Sequence, residues 1–191
     1  MSRKKLQAQK TRKNIVVAAT KLFARQGYHK TTINDICRAI HLTSGAVFHH
    51  FPSKEALLDE VITRLERGMQ IYSNFLHQSR ERSSEILVEI IGIMCDHFKR
   101  HPEATICLAS LATEFAGSNH HVEKRLKNIY EGFVNDLARV LESHPNVTDP
   151  KAAAISFVGA VQGIAIQGLL REGGQSIRQL ADGFLSILAD W

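Results

Sequence analysis

Between Thr32 and Phe51 the chain reads as two short helices joined by a tight turn, an arrangement in which Ser44, Ala46 and His49 of the second helix would face a partner's groove. A hydroxyl and an imidazole can hydrogen-bond the edges of bases, and an alanine methyl suits the methyl group of thymine. Thr32, Thr43, Phe48 and Lys54 fall at the edges of the same stretch. Helix N-terminal amides and a cation there suit the phosphates of a nucleic-acid backbone. Val47 and Phe51 are expected to point back into the core. The chemistry on offer is recognition of a polyanion rather than bond making.

Charge is distributed accordingly. Residues 1 to 54 hold eleven lysines and arginines against one acid, Asp35, whereas the rest of the chain holds thirteen basic and eighteen acidic residues. The formal net charge of +5 over 191 residues therefore conceals a basic head on an acidic body, which points to a local polyanionic partner. Arg3, Lys4 and Lys5 form a basic arm, residues 1–8. It either follows a duplex backbone into an adjacent minor groove or stays a solvated tail.

Several classes are disfavoured. There is no phosphate-gripping glycine loop, no Gly-x-Ser-x-Gly elbow and no HExxH, so catalysis has no evident constellation. Cys37, Cys95 and Cys107 are odd in number and form no CxxC, which suits a reducing compartment, and no cofactor is implied. No secretory signal is visible, and the cytoplasm is the expected location. His97 and His101, at i and i+4, can share a metal with His120 or His121. Against this stands a surface or helix-end role, which ten histidines make easy, and no metal is expected. Ala152 to Leu170 runs nineteen residues without a charge, yet its alanines, glycines, Ser156, Gln162 and Gln167 favour a buried helix over a membrane span.

Positioning falls to helices. Ile15, Ala18, Ala19, Leu22 and Phe23 repeat at helical spacing until Gly27. Thr32 and Asp35 have the spacing of a capping box, and Ile33, Ile36, Cys37 and Ile40 continue the stripe. Thr43 can cap a third helix, and Pro52-Ser53 ends it and caps a fourth. Later breaks near Ser83-Ser84, His101-Pro102, Gly117 to Asn119, His144 to Pro150 and Gly173-Gly174 make an all-α chain of about nine helices.

The series Arg12 to Phe23, Gly27-Tyr28, Thr31-Thr32, Asp35-Ile36 and Ser44 through Leu58 resembles the DNA-binding domain of TetR-family transcriptional regulators. The resemblance implies a three-helix head, residues 9–55 with the motif at 32–51, on a larger helical effector-binding and dimerisation domain, residues 56–191. Two positions depart from it. His41 stands where the family has a glycine in the turn, so a strained or re-shaped turn is expected. Phe48 replaces a tyrosine, so a phenolic phosphate contact is lost.

From the same resemblance come the expected partners. A homodimer would bind a pseudo-palindromic operator of double-stranded DNA as a repressor and be released by a small-molecule ligand, either a hydrophobic compound or an electrophile. Gly159, Gly163 and Gly168 with Phe184, Leu185 and Leu188 would form the dimer interface, although the glycines can equally pack within one subunit. Met94, Cys107, Leu111, Phe115, Tyr130, Phe133, Gln162 and Ile166 would line the effector cavity, although helical spacing also explains them as core. The segment Cys107 to Glu114 resembles one in a family branch with electrophile sensors, and the alternative for Cys107 is a small buried hydrophobe. The rival class is a helical binding module whose basic head touches RNA, an anionic membrane or a protein.

Overall fold

The computed structural model describes residues 2–79, 83–171 and 174–188. Among them the regular elements are α1 (Arg3–Gln26), α2 (Ile33–Ile40), α3 (Ser44–His50), α4 (Lys54–Gln78), α5 (Ser83–Arg100), α6 (Pro102–Phe115), α7 (His121–Leu141), α8 (Pro150–Leu170) and α9 (Ile177–Leu188). The all-α expectation holds. The chain forms two compact units, one of residues up to Leu65 with Cys107–Leu126, the other of Glu66–Ile106 with the chain from Lys127 onward.

In the first unit, the stripe predicted on α1 is buried through Ile15, Ala18, Ala19 and Phe23, and α2, α3 and α4 add Ile36, Val47, Leu57, Leu58, Val61 and Ile62. Each large apolar side chain so buried contributes about 1.5–3 kcal/mol, which lets helices as short as α2 and α3 persist where isolated ones would melt. α6 lies against this core: Ser110 Oγ donates to the Phe23 carbonyl at 3.3 Å, and the Phe115 and Tyr28 rings are 5.6 Å apart. The basic residues Arg3, Lys4 and Lys5 do not form a tail. They are the first turns of α1, which begins at Arg3.

The second unit packs Tyr72 and Leu76 of α4, Ile90 and Ile91 of α5, Phe133 and Leu137 of α7, Ala154 and Phe157 of α8, and Ile177 and Ala181 of α9 into one core. Asp149 caps α8 by accepting from Ala152 N at 2.9 Å, and Pro150 opens it, where its missing N–H costs nothing. α8 corrects the expectation of a buried helix: its mean hydropathy is 1.7, but only 17% of its apolar window is buried within the chain. Ile155, Ile166, Leu169 and Leu170 are exposed, so this apolar face of α8 is not covered by its own chain. By length and composition α8 is one helix, among the described residues, that could cross a membrane.

Candidate nucleic-acid interface

The three short elements of the head are held by caps. Thr32 Oγ1 accepts from Asp35 N at 3.1 Å while Asp35 Oδ2 accepts from Thr32 N at 2.8 Å, completing the capping box of α2. Thr43 Oγ1 accepts from Ala46 N at 3.2 Å, and Ser53 Oγ from Ala56 N at 3.0 Å. Hydrogen bonds from the Thr32 hydroxyl and then its backbone, followed by Arg38, draw the Asp35 carboxyl down to about 2. The one acid of this basic surface stays ionised and paired.

His41 ends α2 at φ 55° and ψ 43°, the left-handed conformation expected of a glycine. The turn is not re-shaped: the His41 and Leu42 amides both donate to the Cys37 carbonyl, the latter at 3.0 Å. The backbone geometry of the motif is retained, with a histidine accommodated in it.

On α3, Val47 and Phe51 are buried as expected, which fixes the rotation of the helix and turns Phe48 and His49 outward. Phe48 is 47% exposed. Ser44 and Ala46 are half-buried, and Ser44 Oγ donates to Asn34 Oδ1 at 3.1 Å. A side chain added at Gly45 would meet nothing within 4 Å, so another molecule can approach the backbone closely there. The His49 and His50 rings stand edge to face at 5.3 Å, and burial, then His49 and Arg12, lower the pKa of His50. Beside α3, an open cleft is lined by Thr32, Asn34, Asp35, Arg38, His41 and Leu42.

Two basic residues have internal duties. Lys54 Nζ donates to the Thr31 carbonyl at 2.9 Å and the Tyr28 carbonyl at 3.0 Å, reaches His29 O at 3.5 Å, and sits 4.2 Å over the Tyr28 ring. Its three hydrogens close the loop between α1 and α2, so a phosphate would have to compete with carbonyls already in place. Arg12 pairs with Glu60 at 2.6 Å and lies 4.7 Å over the Phe51 ring, and that hydrogen bond raises its pKa. Arg38 was not anticipated: it pairs with Asp35 but is 80% exposed by side chain, and with Asn34 it forms an i, i+4 pair on α2. That spacing, away from the Ile33, Ile36 and Ile40 stripe, is the signal that marks both.

The residues expected around an effector are distributed over both units. Cys107, Leu111 and Phe115 belong to the first unit, and Met94, Tyr130, Phe133, Gln162 and Ile166 to the second. Phe133 is core, Ile166 is exposed, and Gln162 Nε2 donates to the Tyr130 hydroxyl at 2.6 Å. Cys107 is fully buried, and burial, then Glu114, push its thiol up to about 12. A thiol sensor needs access and a lowered pKa, whereas this environment suits the small buried hydrophobe that was the alternative for Cys107. His97 Nδ1 and the buried Tyr72 hydroxyl are 2.6 Å apart in the second unit, while His120 and His121 lie in the first, grouped with Glu55 rather than with His97.

At the expected interface, Gly159 and Gly163 are exposed with open space beyond them. Gly168 differs: a Cβ there would lie 3.0 Å from Ile177 Cδ1, so its smallness serves packing against α9 within the chain. Phe184 and Leu185 are half-buried, Leu185 against the core of the second unit, and the side chain of Leu188 lies outside the described residues.

Residues 15–61 match the family model described as bacterial regulatory proteins, tetR family. Over its whole length the chain is 26% identical to the HTH-type transcriptional regulator AcrR of Shigella flexneri, covering 93% of that protein. A 59-residue stretch, 31% of this chain and 27% of the relative, is 42% identical to the probable acrEF/envCD operon repressor of Escherichia coli K12. Among solved structures, the MbdR regulator from Azoarcus sp. CIB shares the fold with a TM-score of 0.82 at 21% identity, covering 92% of this chain and 95% of that one. With the capped helical pair and its outward-facing α3, these likenesses identify residues 15–61 as a TetR-family helix-turn-helix DNA-binding domain, and along its whole length the chain resembles transcriptional regulators of that family.

Proposed function

We propose that the protein is a cytoplasmic repressor that binds a pseudo-palindromic operator as a homodimer, and that its head, residues 9–55, does so through the outward side of α3. Ser44, Ala46 and His49 read bases in the major groove, and Thr32, Thr43 and Phe48 meet the backbone at its edges. The observation that carries this is the rotation of α3: Val47 and Phe51 are locked in the core, leaving Phe48 and His49 exposed beside the open approach over Gly45. Asn34 supports the reading by holding Ser44, and Lys54 acts indirectly through the α1–α2 loop. No catalytic step is needed.

Dimerisation is supported by α8, whose exposed apolar residues and open glycines suit a second copy of the same helix better than a bilayer, given Gln162, Gln167 and Ser156 along it. The effector is a hydrophobic or amphipathic small molecule bound in the remainder of the chain, residues 56–191, where the Tyr130–Gln162 pair supplies a polar handle. It would favour a conformation in which the two heads are wrongly spaced for adjacent half-sites.

Selection of bound genomic fragments, followed by salt-titrated binding under competitor DNA, tests this. Retention of one duplex site with two-fold symmetry is expected, with sequence preference altered by Ser44→Ala or His49→Ala. Equal affinity for arbitrary duplex, single-stranded RNA and anionic vesicles would overturn it in favour of a general polyanion-binding module.

A further inference from the structure

On the first unit, the first turn of α4 and the start of α7 bring together Glu55, His120 and His121. Glu55 Oε1 lies 3.7 Å from His120 Nε2 and 3.8 Å from His121 Nδ1, and one donor atom of each of the three residues lies within 4.8 Å of the others. Donors bound to a tetrahedral ion at about 2.0–2.2 Å sit roughly 3.4 Å apart, so closure asks for movement of about an ångström or less. These side chains are between 37% and 54% exposed and have room to make it.

A second observation concerns orientation. Asp59 Oδ1 lies 3.4 Å from His121 Nε2 and is itself held by Arg125 Nη1 at 2.9 Å. A carboxylate only accepts, so once an ion takes the Nδ1 lone pair on the Glu55 side, Asp59 holds the remaining ring hydrogen on Nε2. This is the carboxylate-to-histidine relay that orients imidazoles at metal centres. The His120 ring is confined between Phe115, at 5.1 Å, and His121, at 4.4 Å between centroids. Val122 N donates to His120 Nδ1 at 3.3 Å; on binding a metal through Nε2 the ring takes the other tautomer and gives up that contact.

We propose that Glu55, His120 and His121 form a site for a divalent transition-metal ion, with zinc as the representative, and that Asp59 positions His121 for it. Two imidazoles and one carboxylate favour zinc, cobalt or nickel over magnesium or calcium, and three protein ligands leave a coordination position for water. The ion clips the first turn of α4, next to the helix pair of the head, to the corner that starts α7.

Untagged full-length protein, stripped with chelator, is titrated with cobalt(II) while its visible d–d bands are followed, and zinc binding is measured by calorimetry and by thermal melting. One saturable ion per chain and a higher melting temperature with zinc are expected. The His120→Ala, His121→Ala double variant should lose both while melting like the wild type without metal. Asp59→Asn should weaken binding by about tenfold or more. A His97→Ala, His101→Ala variant should bind as the wild type does. The site is overturned if no saturable binding occurs, if the double variant at positions 120 and 121 binds normally, or if binding follows His97 and His101 instead. Should the double variant fail to fold, Glu55→Gln serves in its place, with the same loss expected and normal binding again overturning the site.

Discussion

Glu114 Oε2 accepts the backbone N–H of Tyr28 at 2.7 Å, across 86 residues of sequence, and its second oxygen accepts the N–H of His29 at the same distance. The loop that follows α1 thus has its amides bound by α6 and its carbonyls bound by Lys54. The fit is close: at Gly27, where φ is 82°, a Cβ would stand 3.1 Å from the Glu114 carboxylate. Glu114→Ala strands these two amides, and a loss of about 1–3 kcal/mol is expected. Urea midpoints measure it, and a change below about 0.5 kcal/mol would show that the loop is held without the carboxylate.

Asp35 gives the head a signature in acid. Its carboxyl titrates at about 2 rather than its ordinary 3.8, through the Thr32 hydroxyl first, then the Thr32 backbone and Arg38. The folded value lies below the unfolded one, so this stabilisation is complete above the ordinary value and fades as pH falls toward 2. Asp35→Asn keeps an acceptor for the cap but removes the titration. The difference in melting temperature between wild type and variant should therefore shrink from pH 5 to pH 2. A difference that stays constant across that range would exclude Asp35 as its source.

These features divide by how local they are. Thr32 with Asp35, Thr43 with Ala46 and Ser53 with Ala56 are caps within three residues, so their spacing alone made them legible. Val47 and Phe51 follow from the docking of a helix-turn-helix, and the left-handed position of His41 from the resemblance, which has a glycine there. The partners of Glu114 and Lys54, and the Asn34–Ser44 bond, depend on which helices lie side by side, which residue types do not encode. α8 misled for a related reason: an uncharged run marks a surface that must be covered, but not whether its own chain covers it.

Cys107 illustrates the same limit chemically. Its place in α6 suited a reactive thiol, but the side chain is fully buried, and burial pushes the thiol well above its ordinary value, away from the reactive thiolate. Peptide mapping after iodoacetamide treatment should therefore find Cys107 unmodified in the native protein and modified in urea. Operator binding by wild type and by Cys107→Ser should respond alike to an electrophile. Rapid native labelling of Cys107 would restore the sensor reading.

Gly163 separates the two uses of small residues on α8. At Gly168 a side chain would press on Ile177 inside the chain, whereas at Gly163 nothing lies within 4 Å of the added Cβ. Gly163→Trp should thus leave the protomer's helicity intact while placing an indole where, in the proposed dimer, a partner's backbone would approach. Light scattering after size-exclusion chromatography should show monomers, and operator affinity should fall steeply because two half-sites can no longer be engaged together. Gly168→Trp should instead lower thermal stability in the protomer itself. A Gly163→Trp protein that remained dimeric and bound DNA normally would place the interface elsewhere than along α8.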